Sequence, residues 1–200
     1  MKLLYSPASP YVRKVRVLAI EAGLMDRIEL AKVTITPVGP DAALCASNPI
    51  GKIPTLVLDD GGALYDSRVI CEYLDGLHDK NRMFPEHGEA RWTALRRQAL
   101  ADGILDAAVG TRYETFLRPE ELRWAEWVEG QLQKVRRSLD ALEVEALGEG
   151  LDIGTISVAC ALGYLDFRYA QEGWRDSRPR LAAWYEGFSA RASMSDTRPE

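Results

Sequence analysis

The chain has 200 residues, enough for one large or two small domains whose core needs no disulfide staples. Its net charge of −5 gives no electrostatic support for nucleic-acid binding, and no apolar run approaches the roughly 18 residues of a membrane span. Cys45, Cys71 and Cys160 are odd in number and far apart, which suits a reducing cytoplasm, and His78 and His87 alone make no metal-ligand cluster. No basic start followed by an apolar run marks a secretory signal, so a cytoplasmic location is expected.

Residues 2–5 (KLLY) read as a short buried strand, interrupted by Pro7 and Pro10. Ser9-Pro10 then starts a helix, with Ser at the N-cap and Pro at the first helical position. Val15, Leu18, Ala19 and Ala22 share one helical face, and Gly23 is a natural stop. Residues 28–33 suit a second strand. Between Pro40 and Asn48 the helical pattern is thin. Residues 55–58 are β-prone, Asp59-Asp60-Gly61-Gly62 reads as a turn, and residues 63–65 as the returning strand. Asp66-Ser67 caps another helix, with Ile70, Tyr73, Leu74 and Leu77 on its face.

The order βαβ then ββα predicts a parallel pair and an antiparallel hairpin on one sheet. Residues 1–77 therefore form an α/β domain, the polar stretch 78–88 a linker, and residues 89–200 an all-helical domain. In that second domain Val128, Leu132, Val135, Leu139 and Leu142 make a bundle-type core seam. Gly103 and Gly110 suggest a bend in the first bundle helix. Asp152 caps a helix through Ile156, Cys160 and Leu165, and Trp184 and Phe188 mark the apolar face of a last helix. Residues from Ser195 read as frayed.

Three short segments carry candidate chemistry. In Ser6-Pro7-Ala8-Ser9-Pro10-Tyr11 a hydroxyl stands where a strand meets a helix N-terminus, a place that favours an anion. Arg13, Lys14 and Arg16 crowd the same turns. They read either as a solvated basic face, the commoner case, or as partners of a bound anion. In Asn48-Pro49-Ile50-Gly51-Lys52-Ile53-Pro54-Thr55 a cis Ile53–Pro54 bond would leave the peptide groups of Ile53 free to pair with an extended ligand, although trans is the commoner state of such a bond. In Tyr65-Asp66-Ser67-Arg68 a helix start offers a hydroxyl and N–H groups to a carboxylate, and Asp66 a charge to an ammonium. Taken alone, each of these segments reads first as plain capping or an ordinary turn.

In this order and spacing, S-P-x-S-P-Y-x-R-K-V, N-P-x-G-K-I-P-T-L and Y-D-S-x-x-I-C-E-Y-L resemble the glutathione transferase family, and its bacterial members in particular. The resemblance covers residues 2–77 closely and the helical part more loosely, through residues 151–166. It implies a thioredoxin-like α/β domain joined to an all-α helical bundle, usually as a homodimer. It also implies glutathione as co-substrate and a small hydrophobic electrophile as second substrate. Residue by residue, Ser9 falls where the family places Ser or Cys beside the glutathione sulfur. Ile53, with Pro54 cis, would pair with the cysteinyl part, Asp66 and Ser67 would hold the γ-glutamyl end, and Lys52 would contribute at the glycine end. Tyr5 is an alternative activator of the thiol, set against a plain packing role. A Ser at position 9 disfavours thiol–disulfide exchange, and Cys45 is not at the matching position. Tyr11, Tyr113 and Phe116 are candidates for the wall of the electrophile site. Where the family has Ser or Thr at the later N-cap and Asp three residues on, this chain has Asp152 and Thr155, an exchange expected to weaken a capping box. Two functions follow from the resemblance: thiol transfer to a small electrophile, or a non-catalytic binding or regulatory module on the same fold.

Overall fold

The computed structural model describes residues 1–39 and 41–200. A four-stranded sheet in the order β2-β1-β3-β4 is built from β1 (Lys2–Tyr5), β2 (Glu29–Lys32), β3 (Thr55–Val57) and β4 (Ala63–Leu64). β1 runs parallel to β2 across α1 (Pro10–Ala22), and antiparallel to β3, with Leu3 opposite Leu56. β3 and β4 form the hairpin read from the Asp-Asp-Gly-Gly turn. α2 (Ala42–Ser47) fills the stretch where the helical pattern was thin, capped by Asp41 accepting from the Leu44 N–H at 2.8 Å. Pro40, which opens that stretch, lies outside the described residues. α3 (Ser67–Asp75) buries Ile70, Cys71 and Leu74 and leaves Tyr73 on the surface, so Cys71 rather than Tyr73 completes its inner face.

Residues 78–87 are not a free polar tether. The buried Asp75 carboxylate accepts from the Met83 and Phe84 N–H groups at 2.8 and 3.0 Å, and both side chains are buried. His78 takes part too: its Nδ1 accepts from the Lys80 N–H at 3.1 Å, so its Nε2 carries the proton and donates to Asp75. The Ile153 N–H donates to the Met83 carbonyl at 2.8 Å, tying this stretch to the helical domain.

That domain contains α4 (Gly88–Phe116), α5 (Ala125–Val144), α6 (Ile153–Arg168), α7 (Pro179–Ser189) and α8 (Ala192–Ser195). α4 is helical throughout, and Gly110 leaves room for the Trp127 indole, which a Cβ would meet at 3.3 Å. The α5 seam buries Val135, Leu139 and Leu142. α6 is buried on every side from Ile153 to Leu165, as a helix apolar all round must be. Its capping box is complete despite the exchanged residue types. Asp152 accepts from the Thr155 N–H at 2.8 Å, and Thr155 Oγ1 accepts from the Asp152 N–H at 2.9 Å. A hydroxyl accepts the return bond here in place of a carboxylate, so the exchange leaves both bonds of the box made. Among the described residues no helix is long and apolar enough to cross a membrane.

The two domains meet at α1, and here the sequence reading needs correction. Arg13 and Lys14 are buried, Lys14 completely, because α1 packs between α3 and α6 instead of facing solvent. Lys14 Nζ donates to Asp102 of α4 at 2.6 Å. Arg13 donates to the Met194 carbonyl at 3.0 Å and lies against Gly163, where a Cβ would stand 2.2 Å from its Nη1. Arg16 reaches the Asp196 carbonyl at 3.3 Å. These contacts also hold the C-terminal segment, which is docked rather than frayed: Thr197 is buried and its hydroxyl donates to the Ser193 carbonyl at 2.7 Å.

Candidate functional site

The pairing register gathers the three sequence segments. Leu4 near the end of β1 lies opposite Thr55 at the start of β3, and Leu56 lies opposite Leu64 at the end of β4. Ser9, Ile53–Pro54 and Asp66–Ser67 therefore emerge at one end of the sheet. Lys52, just before Ile53, is exposed there.

Ser9 is the N-cap of α1. Its Oγ accepts from the Val12 N–H at 3.3 Å, which leaves its own proton to donate elsewhere. Among the described residues the Tyr11 N–H has no partner, so a hydroxyl and an amide donor stand together at the positive end of the helix dipole. The Ile53–Pro54 bond is cis, as is Tyr65–Asp66. Neither the N–H nor the C=O of Ile53 has a hydrogen-bond partner among the described residues. The loop before Pro54 is braced by Asn48, which is almost wholly buried. Its amide donates to the Lys52 carbonyl at 2.9 Å and to Thr55 Oγ1 at 3.0 Å, and its Oδ1 accepts from the Ile50 N–H.

Asp66 caps α3 by accepting from the Arg68 N–H at 2.9 Å. Ser67 is buried, yet neither its N–H nor its hydroxyl has a partner among the described residues. The hydroxyl oxygen itself is not shut off from solvent, so both donors are open to a ligand. Beside it, Arg68 Nε donates to Asp102 at 2.7 Å, on the carboxylate that also takes Lys14. The sequence reading missed Asp102, and no local signal pointed to it: the residue lies on α4 and its partners are far away along the chain.

Among the described residues the Tyr5 hydroxyl makes no hydrogen bond to this constellation. Its ring faces the Arg16 guanidinium, 5.8 Å from the centroid. Tyr11 is half-buried and donates to Asp106 of α4 at 2.5 Å. Burial and that carboxylate raise its hydroxyl far above the ordinary range, so it stays protonated. Tyr113 and Phe116 are exposed at the far end of α4, with Arg112 stacked 3.7 Å from the Phe116 centroid. A small cleft beside Ser9 is lined by Pro10, Arg13, Cys160 and Tyr164, with Pro199 at its edge. Among the described residues no group of three or more His, Cys, Asp or Glu side chains is placed to hold a metal.

A mixed sheet with its helices, joined to a helical domain and presenting open donors at one sheet end, is the thioredoxin-like plus helical architecture of glutathione transferases. The chain belongs to the glutathione S-transferase family: residues 3–82 match its N-terminal domain and residues 125–187 its C-terminal domain. It is similar to an uncharacterized GST-like protein, YibF, of Escherichia coli strain K12, at 34% identity over all of this chain and 98% of that one. It is also similar to a family member from Pseudomonas fluorescens Pf-5 solved with bound glutathione, at 54% identity, 100% and 98% coverage and a TM-score of 0.98. A glutathione S-transferase from Methylobacillus flagellatus KT, also solved with glutathione, shares 41% identity over 100% and 99% of the two chains, with a TM-score of 0.88.

Proposed function

We propose that this protein is a glutathione transferase that presents the glutathione thiol as thiolate to a small electrophile. The observation that carries the reading is the Ser9 hydroxyl, its lone pair engaged by Val12 and its proton unclaimed, next to the unpartnered Tyr11 N–H. In this reading the open peptide groups of Ile53 pair with the cysteinyl part of the tripeptide. Ser67 receives the γ-glutamyl carboxylate, Asp66 the ammonium, and Lys52 the glycine end. The Pseudomonas and Methylobacillus relatives, solved with glutathione bound, support the ligand.

Glutathione supplies the sulfur. The chain's part is to favour loss of the thiol proton to solvent. A free thiol ionises near ~8.5, and a hydroxyl donor at a helix N-terminus lowers that by about 1–2 units. Ser9 donates to the sulfur and does not attack. As the carbon–sulfur bond forms, the leaving group departs with its electron pair, or an activated double bond takes up a proton. Val69 and Tyr73 of α3 and Trp92 of α4 are large apolar side chains left exposed, which suits the homodimer included in this reading.

The test is calorimetric titration with glutathione, followed by turnover of chlorodinitrobenzene. Tight binding with turnover supports the transferase. Binding without turnover of any electrophile favours the non-catalytic module, and no binding at millimolar glutathione sinks the transferase reading and leaves the binding or regulatory module standing.

A further inference from the structure

Where α6 meets α4 stands a tyrosine pair, Tyr164 and Tyr169, that the thiol chemistry leaves unused. Tyr164 lines the same cleft as Ser9, and its ring is buried. Its hydroxyl has no partner among the described residues, and burial pushes it up to about 12, so it stays a donor. Tyr169 follows with its ring centroid 6.5 Å away. Its own hydroxyl donates to the Ala108 carbonyl of α4 at 2.6 Å. That bond brings the end of α6 against the turn of α4 that carries Arg112. Arg168, next to Tyr169 in sequence, and Arg112 thus flank the tyrosine pair, and both cations favour ionisation of the Tyr164 and Tyr169 hydroxyls against the effect of burial.

Both arginines are half-buried and the guanidinium of each lies over a phenyl ring, Arg112 over Phe116 at 3.7 Å and Arg168 over Phe167 at 3.8 Å. Neither has a salt bridge or a hydrogen bond to a described residue. Every other buried or half-buried arginine among the described residues has one, such as Arg97 on Glu145 and Arg178 on Asp140. The neighbouring carboxylates are already engaged: Asp106 by Tyr11, Asp166 by Arg175 and Glu172 by Arg136. Two half-buried arginines with no acceptor of their own and a phenol whose proton is unclaimed form an arrangement that an anion completes. A guanidinium fork matches a carboxylate in particular.

We propose that Arg112, Arg168 and Tyr164 hold a carboxylate on the second substrate, so that the enzyme selects acidic electrophiles with an apolar body. The inference rests on the glutathione reading, since Tyr164 is the residue that joins this group to the cleft at Ser9.

The test is calorimetry on the full chain with S-benzylglutathione and its para-carboxybenzyl and para-aminomethylbenzyl derivatives. All three share the tripeptide, so their ratios report the substituent alone. The carboxyl derivative is expected to bind roughly tenfold tighter than S-benzylglutathione, and the aminomethyl derivative more weakly. In Arg112→Gln/Arg168→Gln the carboxyl-to-benzyl ratio falls to about one. Tyr164→Phe, which keeps the ring packing, lowers it in part. A wild-type ratio near one overturns the proposal, as does a ratio that survives in the double variant. Equal weakening of all three ligands by the double variant also overturns it, because the arginines would then hold glutathione itself. If S-benzylglutathione does not bind at all, the glutathione reading fails and takes this inference with it.

Discussion

Lys14 of α1 and Asp102 of α4 form an ion pair at 2.6 Å with both side chains shut off from solvent, and Arg68 closes on the other carboxylate oxygen at 2.7 Å. The pair joins the glutathione-transferase N-terminal domain to the helical one directly behind Ser67. Removing one partner leaves a buried charge uncompensated, which costs about 3–5 kcal/mol. Asp102→Ala is therefore expected to lose that much stability in urea unfolding. Lys14→Met/Asp102→Leu should recover most of it. An Asp102→Ala protein within about 0.5 kcal/mol of wild type would show that the pair is solvated rather than buried.

Glycines in the helices separate into two kinds. At Gly154 a Cβ would stand 2.6 Å from the Ala94 carbonyl oxygen and 2.7 Å from Arg97 Cβ, so α6 docks on α4 only without a side chain there. Gly154→Ala should destabilise by about 1–3 kcal/mol through overpacking, despite alanine's better helix propensity. Gly103 in α4 is exposed and a Cβ there meets nothing, so Gly103→Ala should gain about 0.5–1 kcal/mol. Thermal unfolding of the two variants should move in opposite directions.

The cysteines differ in reach. Cys71 and Cys160 are wholly buried, and burial raises their thiols to about 12 and about 11, whereas Cys45 is partly exposed. A disulfide reagent added to native protein near neutral pH should titrate a single thiol, lost in Cys45→Ser, and all three after denaturation. Fast reaction of a second thiol in the native state would contradict the packing of α3 and α6.

The same groups set an alkaline limit. In the unfolded chain thiols ionise near ~8.5 and phenols near ~10, while the native state keeps the Cys71, Cys160 and Tyr164 protons to about 12, 11 and 12. Above about pH 8.5 the unfolded chain therefore binds fewer protons than the native one, and stability falls as pH rises. Below that value this contribution is complete and flat. The urea midpoint should decline steadily from about pH 8.5 toward 10.5, with a shallower slope in Cys71→Ala/Cys160→Ala.

Much of the fold could be read locally. The caps at Ser9, Asp66 and Asp152, the Asp-Asp-Gly-Gly turn and the α5 seam depend on residues within one or two turns of each other. α2 escaped because six residues are too few to show a period. What could not be read was set by distant partners. Lys14 looks like a surface cation until Asp102, 88 positions on, is brought to it. The polar tail beyond Ser195 looks frayed until Arg13 and Arg16 reach its neighbours. Tyr169 of α6 meets Ala108, one turn before Arg112, only when α6 packs on α4.

The central claim is that Ser9 lowers the thiol pKa of bound glutathione, and it is tested most directly by thiolate absorbance against pH in the glutathione complex. Because Ser9 also caps α1, Ser9→Ala should be accompanied by Ser9→Gly, which loses the hydroxyl at little cost to the cap. The account predicts a thiol about 1–2 units below its free value in wild type, returning upward in both variants. A depressed thiol unchanged in either variant would contradict it and move the role to the Tyr11 N–H and the helix dipole.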